Sequence, residues 1–453
     1  MKTRHVSVVA VAAAMALAGC SNGSSTPSAS PKASDSATST APATSTSPSA
    51  SPTDSPTATA AGTGMDQTAK STVTLMKDSI SPEIQAAAEA EMKKLYPNVT
   101  VDVQILTWDV RADKWTAAWS ATPATIDAAE MGNTDVLSWA AKGALEPLDA
   151  SKFETGGTWL ESLKQAGTFD GKLYGVPYYA GSRVLWYNKK TLGSAAAPKT
   201  LDELETLAAK YKTNGNSGIY LPGRNWYVNT GFLVDAGMNE IATKDGDKWK
   251  ANLASDAGIK GIDRLKKFAG AVSAAPASVD ETNDDKIFGT KKAAMVIEPG
   301  WWNGVVTAPG PKGQAFPKAD LDAWTMPGTA GPLPQFLGGS NLAVAANSGH
   351  KDLATAWVNV LAGTVVQTMV AKAGSIPNTT TLLDQVPAGP GKMAAAGASG
   401  KGWFTPMSVN WANVETANIM KDFFQKVLTP GSDSKAVATE YDKKIEDILN
   451  AAS

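Results

Sequence analysis

The chain has 453 residues, 43% hydrophobic and 19% charged, with 41 Lys and Arg against 43 Asp and Glu and a formal charge of −2. That balance gives no support to nucleic-acid binding, which needs concentrated Lys and Arg to displace counterions from phosphates. A single cysteine excludes an intramolecular disulfide.

In chain order, the first element is an expected export signal. Lys2 and Arg4 precede the mostly apolar stretch Val6 to Ala18, which is shorter than the ~20 residues a membrane-spanning helix needs. It ends at Leu17-Ala-Gly-Cys20, which resembles the lipobox of bacterial lipoproteins. The resemblance implies that Cys20 is lipidated and becomes the new N-terminus, so that acyl chains and no spanning helix hold the protein to the membrane. Loss of residues 1–19 takes Lys2 and Arg4 with it and leaves 39 basic residues against 43 acidic, a formal charge of −4.

From Ser21 to Gly64, 40 of 44 residues are Ser, Thr, Ala, Pro or Gly, with no large aliphatic or aromatic side chain among them. Such a stretch cannot build a core, and its repeated Ser-Pro and Thr-Pro steps favour extended, solvated backbone; residues 20–69 are expected to form a disordered tether.

The globular part starts near Lys70 and holds all 14 tryptophans. At that length two domains are expected. Ser71 to Met76 reads as a strand, Pro82 to Tyr96 as a helix with Ala, Ile and Leu on one face, and Val99 to Leu106 as a second strand, an order that implies a parallel sheet. Later come a helix from Leu201 to Tyr211, strands at Ala293 to Ile297 and Leu342 to Ala346, and a helix from Lys351 to Leu361. The last helix, Ser434 to Asn450, places Val437, Tyr441, Ile445 and Ile448 on one face.

Gly171-Lys-Leu-Tyr-Gly-Val-Pro-Tyr-Tyr179, followed by Arg183-Val-Leu-Trp-Tyr-Asn-Lys189, resembles the extracellular solute-binding proteins of sugar ABC importers, the maltose-binding relatives. Further segments agree in order: Tyr96-Pro-Asn-Val99, Gly143-Ala-Leu-Glu-Pro-Leu148, Pro198-Lys-Thr-Leu-Asp-Glu-Leu204, Ala293 to Trp301, Gly338 to Val344, and Trp411-Ala-Asn-Val-Glu415. The resemblance implies an α/β, two-lobed periplasmic-binding-protein-like fold with a ligand cleft between the lobes. Residues 70–180 plus about 335–383 would form lobe 1, and 181–334 plus about 384–453 lobe 2. It also implies a sugar ligand, permease subunits as partners, attachment to the outer face of the plasma membrane, a monomer, and no cofactor. One departure stands out: Ile126-Asp127-Ala128 replaces the family's usual Pro-Asp-Val. The loop that follows, Glu130-Met-Gly-Asn-Thr134, is similar to the version found in actinobacterial sugar receptors.

A sugar ring offers a face of C–H bonds and an edge of hydroxyls, so a receptor needs flat aromatic surfaces and polar groups. By the resemblance, Trp301, Trp411 and Trp226 match aromatic ligand positions, whereas Trp302, Trp139 and Trp357 are read as core or interface. Asn133 and Thr134 sit in the first-lobe loop, Trp108 and Asp109 end the second strand, Arg183 lies near the first interlobe crossing, and Glu298 precedes the turn carrying Trp301. The polar candidates have plain readings too: Asn and Thr bond local backbone in loops, and Asp109 could cap a helix.

Enzymatic readings find little support. With His5 lost in the signal and Cys20 acylated, a His and Cys zinc site is excluded and a Ser-His-Asp triad would require His350, which lies at an expected helix start. A glycosidase needs only two carboxylates, and no pair stands out. The run Asp280 to Asp285 lacks the glycine and distal glutamate of a calcium loop and reads as a charged helix start. A sugar-binding surface lipoprotein without a transport role also stays open.

Overall fold

The segment Lys70–Met76 (β1) is extended, with Val73, Leu75 and Met76 buried, because β-branched and apolar side chains suit a strand covered on both faces. The structure is a computed structural model that describes residues 68–77, 79, 81–108, 110–310, 314–398 and 402–451. The expected signal, Cys20, nearly all of the tether, and Asp109 lie outside the described residues. Further strands are β2 Thr100–Leu106, β3 Ala128–Gly132, β4 Gly175–Gly181, β5 Arg183–Asn188, β6 Ser217–Tyr220, β7 Ala293–Pro299, β8 Leu321–Trp324, β9 Gly338–Val344 and β10 Ile376–Pro377.

Two sheets organise them. The six-stranded sheet runs β10-β4-β9-β3-β1-β2, with β1 parallel to β2 and β3, and β9 antiparallel to β3 and β4. The four-stranded sheet runs β8-β5-β7-β6, with β7 antiparallel to β5 and parallel to β6. Only Ser182 separates β4 in the first sheet from β5 in the second, and the chain returns between Trp324 and Gly338. After β10, the helix Pro390–Ala398 packs against β5 and β8 of the other sheet.

The helices bury the faces that their periodicity dictates. Ser81 caps Pro82–Leu95 by accepting from Ile84 N, proline sits in the first turn, and Ile84, Ala88 and Met92 pack inward. Leu95, expected on that face, is 43% exposed because the helix ends there, past the edge of the core. Lys351–Ala362 buries Leu353, Ala354, Trp357 and Leu361. In Ser434–Leu449 the buried stripe is Val437, Ala438, Tyr441, Ile445 and Leu449, so Leu449 takes the core place expected of Ile448. Other boundaries move by a few residues: the helix from Leu201 ends at Ala209, and β9 begins at Gly338, four residues before the expected start.

Candidate functional site between the two sheets

The site is built where strand ends and helix starts of the two sheets face each other. From the six-stranded sheet, the loop after β3 supplies Asn133, Thr134 and Asp135. The Asn133 N–H donates to Gly339 O (3.3 Å), and the amides of Asn133 and Asn341 meet at 2.8 Å, so Asn133 is tied to its own sheet. Thr134 reaches across: its hydroxyl donates to Glu415 Oε2 on the helix Trp411–Thr416 (3.2 Å). Arg111 grips buried Asp135 with two hydrogen bonds (2.9 and 3.2 Å) while its guanidinium lies 5.4 Å from the Trp108 ring centroid. Trp108 lies in the turn beyond β2, which ends at Leu106, and it is 37% exposed.

Glu130, within β3, is part of the frame that holds this loop. It accepts from Met76 N (2.8 Å), Ser79 Oγ (2.5 Å) and Tyr179 OH (3.2 Å), while burial pushes its carboxyl above the usual range.

From the four-stranded side comes an aromatic block. Trp226 opens a helix running to Asp235, and its ring centroid lies 4.3 Å from that of Tyr227, 5.7 Å from Trp403 and 6.2 Å from Trp411, with Phe336 packed 4.8 Å from Trp403. Two of the expected ligand positions lie inside this block. Trp226, packed on Phe336, Trp403 and Trp411, and Trp411, packed on Trp226, are enclosed, at 3% and 1% exposure, and present no open face. The Trp411 indole donates to Glu415 Oε1 (2.8 Å), one helical turn away. Glu415 thus holds Trp411 with one oxygen and Thr134 with the other, and burial pushes its carboxyl up to about 7 against the pull of those two donors.

Trp301 is different. It follows β7 in the turn beginning at Gly300, is half-buried, and its indole nitrogen would lie 3.7 Å from a Cβ at Gly181 in the β4-to-β5 crossing. Trp302, by contrast, is core, packed on Trp186 and Phe288, and Trp357 is equally buried. Trp139 is partly covered and packs edge-on to Trp115 and Trp119.

Beside Trp301 the crossing carries Arg183, whose guanidinium lies 5.0 Å from the Tyr227 ring centroid. Glu298, in β7, is 6% exposed and shares a hydrogen bond with Asp284, itself 2% exposed. Burial pushes both carboxyls up; the charge of Glu298 raises Asp284 further, whereas Arg183 and the hydrogen bond from Asp284 pull Glu298 down, so the pair retains a proton at neutral pH, held on Asp284. Asp284, read from sequence as part of a charged helix start, is therefore a buried partner. His350 is exposed and starts the helix Lys351–Ala362, its N–H donating to Ser348 Oγ (2.9 Å).

The sequence reading missed Arg111, Asp135, Tyr227, Asp284 and Glu415. Two carried a signal: Glu415 stands four residues after Trp411, and Asp284 four before buried Phe288, each pair sharing a helical face. Arg111 and Tyr227 carried none, because only the fold brings them to the site.

Residues 77–368 match the model of the bacterial extracellular solute-binding proteins. The chain belongs to that family. It is 35% identical over 399 residues to the diacetylchitobiose binding protein DasA of Streptomyces coelicolor, covering 84% of this chain and 92% of the relative. A maltooligosaccharide ABC transporter solute-binding lipoprotein of Streptococcus pneumoniae is 33% identical over 105 residues, 22% of this chain and 24% of that one. Among solved structures, the GacH receptor of Streptomyces glaucescens superimposes with a TM-score of 0.72 at 22% identity, over 85% of this chain and all of the receptor. A cyclo/maltodextrin-binding protein complexed with maltotetraose gives 0.69 at 19% identity, covering 84% of this chain and 98% of that one. These likenesses establish the two-lobed maltose-binding-protein-like fold.

Proposed function

We propose that the protein is the capture component of a sugar ABC importer: it takes an oligosaccharide into the cleft between two lobes and delivers it to the permease. The observation that carries the reading is the half-buried Trp301 indole against Gly181 in the crossing that also carries Arg183, in the turn that follows the strand holding Glu298. Kinship with the Streptomyces coelicolor receptor along most of both chains supports it. Lobe 1 comprises residues 70–180 plus about 335–383 and lobe 2 residues 181–334 plus about 384–453. Trp301 and Arg183 receive the sugar on lobe 2, and Asn133, Thr134 and Trp108 close over it from lobe 1. Lipidation at Cys20 and the tether of residues 20–69 hold the monomer to the outer face of the membrane.

Among the described residues, one carboxyl pair that invites a hydrolytic reading is Asp284 with Glu298. A glycosidase separates its two carboxyl groups by roughly 5–5.5 Å for retention or 6.5–9.5 Å for inversion. A pair in hydrogen-bond contact is too close for either geometry.

A thermal-shift screen of the purified chain against chito-, malto- and cello-oligosaccharides tests the proposal, because ligand at ~100 times its dissociation constant adds about 2.7 kcal/mol of stability. Stabilisation by an oligosaccharide that is recovered intact is the expected result. Hydrolysis in proportion to protein concentration, or indifference to every saccharide, would overturn it.

A further inference from the structure

The helix Trp411–Thr416 is rooted by Trp411 and Val414 in the core around the four-stranded sheet, yet it packs against Asp135–Ala141, the helix that follows β3 in the other sheet. That contact sets the Glu415 carboxyl before Asp135, with Arg111 beside them. Arg111 is already committed, since both of its hydrogen bonds to a carboxylate go to Asp135, and Glu415 forms no ion pair among the described residues. Two carboxylates therefore share one cation where the sheets meet, and the excess negative charge has to be met when water leaves the gap.

The neighbouring groups do not meet it. The Tyr227 hydroxyl, pushed up by burial, stays uncharged at neutral pH. On the two other helices packed on Trp411–Thr416, Lys421 is held by Asp280 and Asp422 by Arg224, while the charged residues of Ser434–Leu449 bond to Lys426, to one another or to the backbone of residues 251–254. A proton on Glu415 meets it without breaking a bond. The Trp411 indole can only donate, so Oε1 remains an acceptor, whereas Oε2 faces the Thr134 hydroxyl, which donates to an ionised carboxyl and accepts from a protonated one. A lysine in that place would fix the ionised form; a hydroxyl serves both. Burial, with Asp135 adding to it, pushes the carboxyl from 4.5 up to about 7, and the shift relaxes when the sheets part and water reaches the group.

We propose that sugar capture takes up a proton at Glu415: the carboxyl is ionised while the lobes are apart and carries a proton on Oε2 once they close. Glu415 is thus a positioning residue for closure that acts through Thr134. The inference rests on the sugar-receptor reading above. Because the closed form holds the proton more tightly, affinity is greatest below about pH 4.5 and falls as pH rises through 7.

Cellobiose, maltose and the diacetylated glucosamine dimer have no group that titrates between pH 5 and 8, so whichever binds reports on the protein alone. Titrated calorimetrically into the full chain at about pH 6 in phosphate and in imidazole, buffers of unlike ionisation enthalpy, it should show uptake of about one proton, and its affinity should fall roughly tenfold or more between pH 5 and 8. Glu415→Gln, uncharged throughout, should remove the uptake and bind about tenfold more tightly than the parent at pH 8. Asp135→Asn frees Arg111 for Glu415 and should shrink the uptake severalfold, which keeps the coupling testable where Glu415→Gln disturbs folding. Sugar binding without proton uptake, or an uptake unchanged in either folded variant, would overturn the coupling and leave the receptor reading standing. If no saccharide binds, both fall.

Discussion

Trp301, Trp411 and Trp226 stand at similar places in the chain's motifs, yet their surroundings assign them different work. Trp301→Ala should cost at least ~2 kcal/mol of sugar affinity, as loss of a binding hot spot does, while leaving the unfolding midpoint nearly unchanged. Trp411→Ala should instead lower stability by ~3–5 kcal/mol, because it opens a cavity beside Trp226 in the core. Calorimetry and urea unfolding on both variants decide it; an affinity loss in Trp411→Ala without a stability loss would show that its ring is a binding surface after all. Glu415 adds a pH signature. Its carboxyl sits at about 7 in the folded protein against an ordinary value of 4.5, raised mainly by burial, so the folded state binds the proton more tightly than the unfolded. Its contribution is therefore fully present below about pH 4.5 and lost as pH rises through 7, up to ~3 kcal/mol in all. Glu415→Gln should flatten the fall in stability between pH 5 and 8, and an unchanged slope would assign that slope to other groups, Asp442 among them. The turn position of Trp301 was legible in the sequence because Pro299 and Gly300 announce it. The enclosure of Trp411 was not, since Trp226 reaches it from far along the chain.

At the level of elements, local chemistry was largely readable. Capping by Ser81, a parallel β1–β2 pair and the buried stripe of Lys351–Ala362 all follow from residue type and spacing. What periodicity could not decide was the last turn of Ser434–Leu449, where Ile448 and Leu449 compete for one face and tertiary contact chooses Leu449. Leu449→Ala should accordingly cost ~2–4 kcal/mol and Ile448→Ala clearly less, as measured by chemical denaturation. Equal losses would mean that the helix turns its end differently. The side of the cleft facing solvent was less readable than the core, because its members are polar residues whose plain roles in loops and caps use the same amino acids.

The whole molecule works as two sheets joined by short crossings, with Thr134 and Glu415 meeting across the gap. The Asn133 amide is also engaged with Asn341 on its own sheet, which makes Thr134 the sharper probe of closure. Thr134→Val removes one donor to a buried carboxylate and should weaken the closed form by ~1–3 kcal/mol. Small-angle scattering should show compaction with sugar in the parent and a smaller change in the variant at sub-saturating sugar; full compaction at undiminished affinity would remove Thr134 from that role. Attachment is tested separately: Cys20→Ser should release the protein from the cell surface or leave it unprocessed, and a variant that stays acylated would locate the anchor elsewhere.

The position of β9 also governs when this protein can fold. It lies in the middle of the six-stranded sheet, between β3 and β4, yet it is synthesised only after the chain has passed through all four strands of the other sheet. At ribosomal rates of ~5–20 residues per second, the stretch of about 150 residues from Gly181 to Gly338 takes roughly ten to thirty seconds to emerge. Until then β3 and β4 have no neighbour on their facing edges, and the first half of the chain has no finished sheet to settle into. A polypeptide that must be threaded across a membrane before it folds gains from such a delay, because its own topology keeps it slack until its second half arrives.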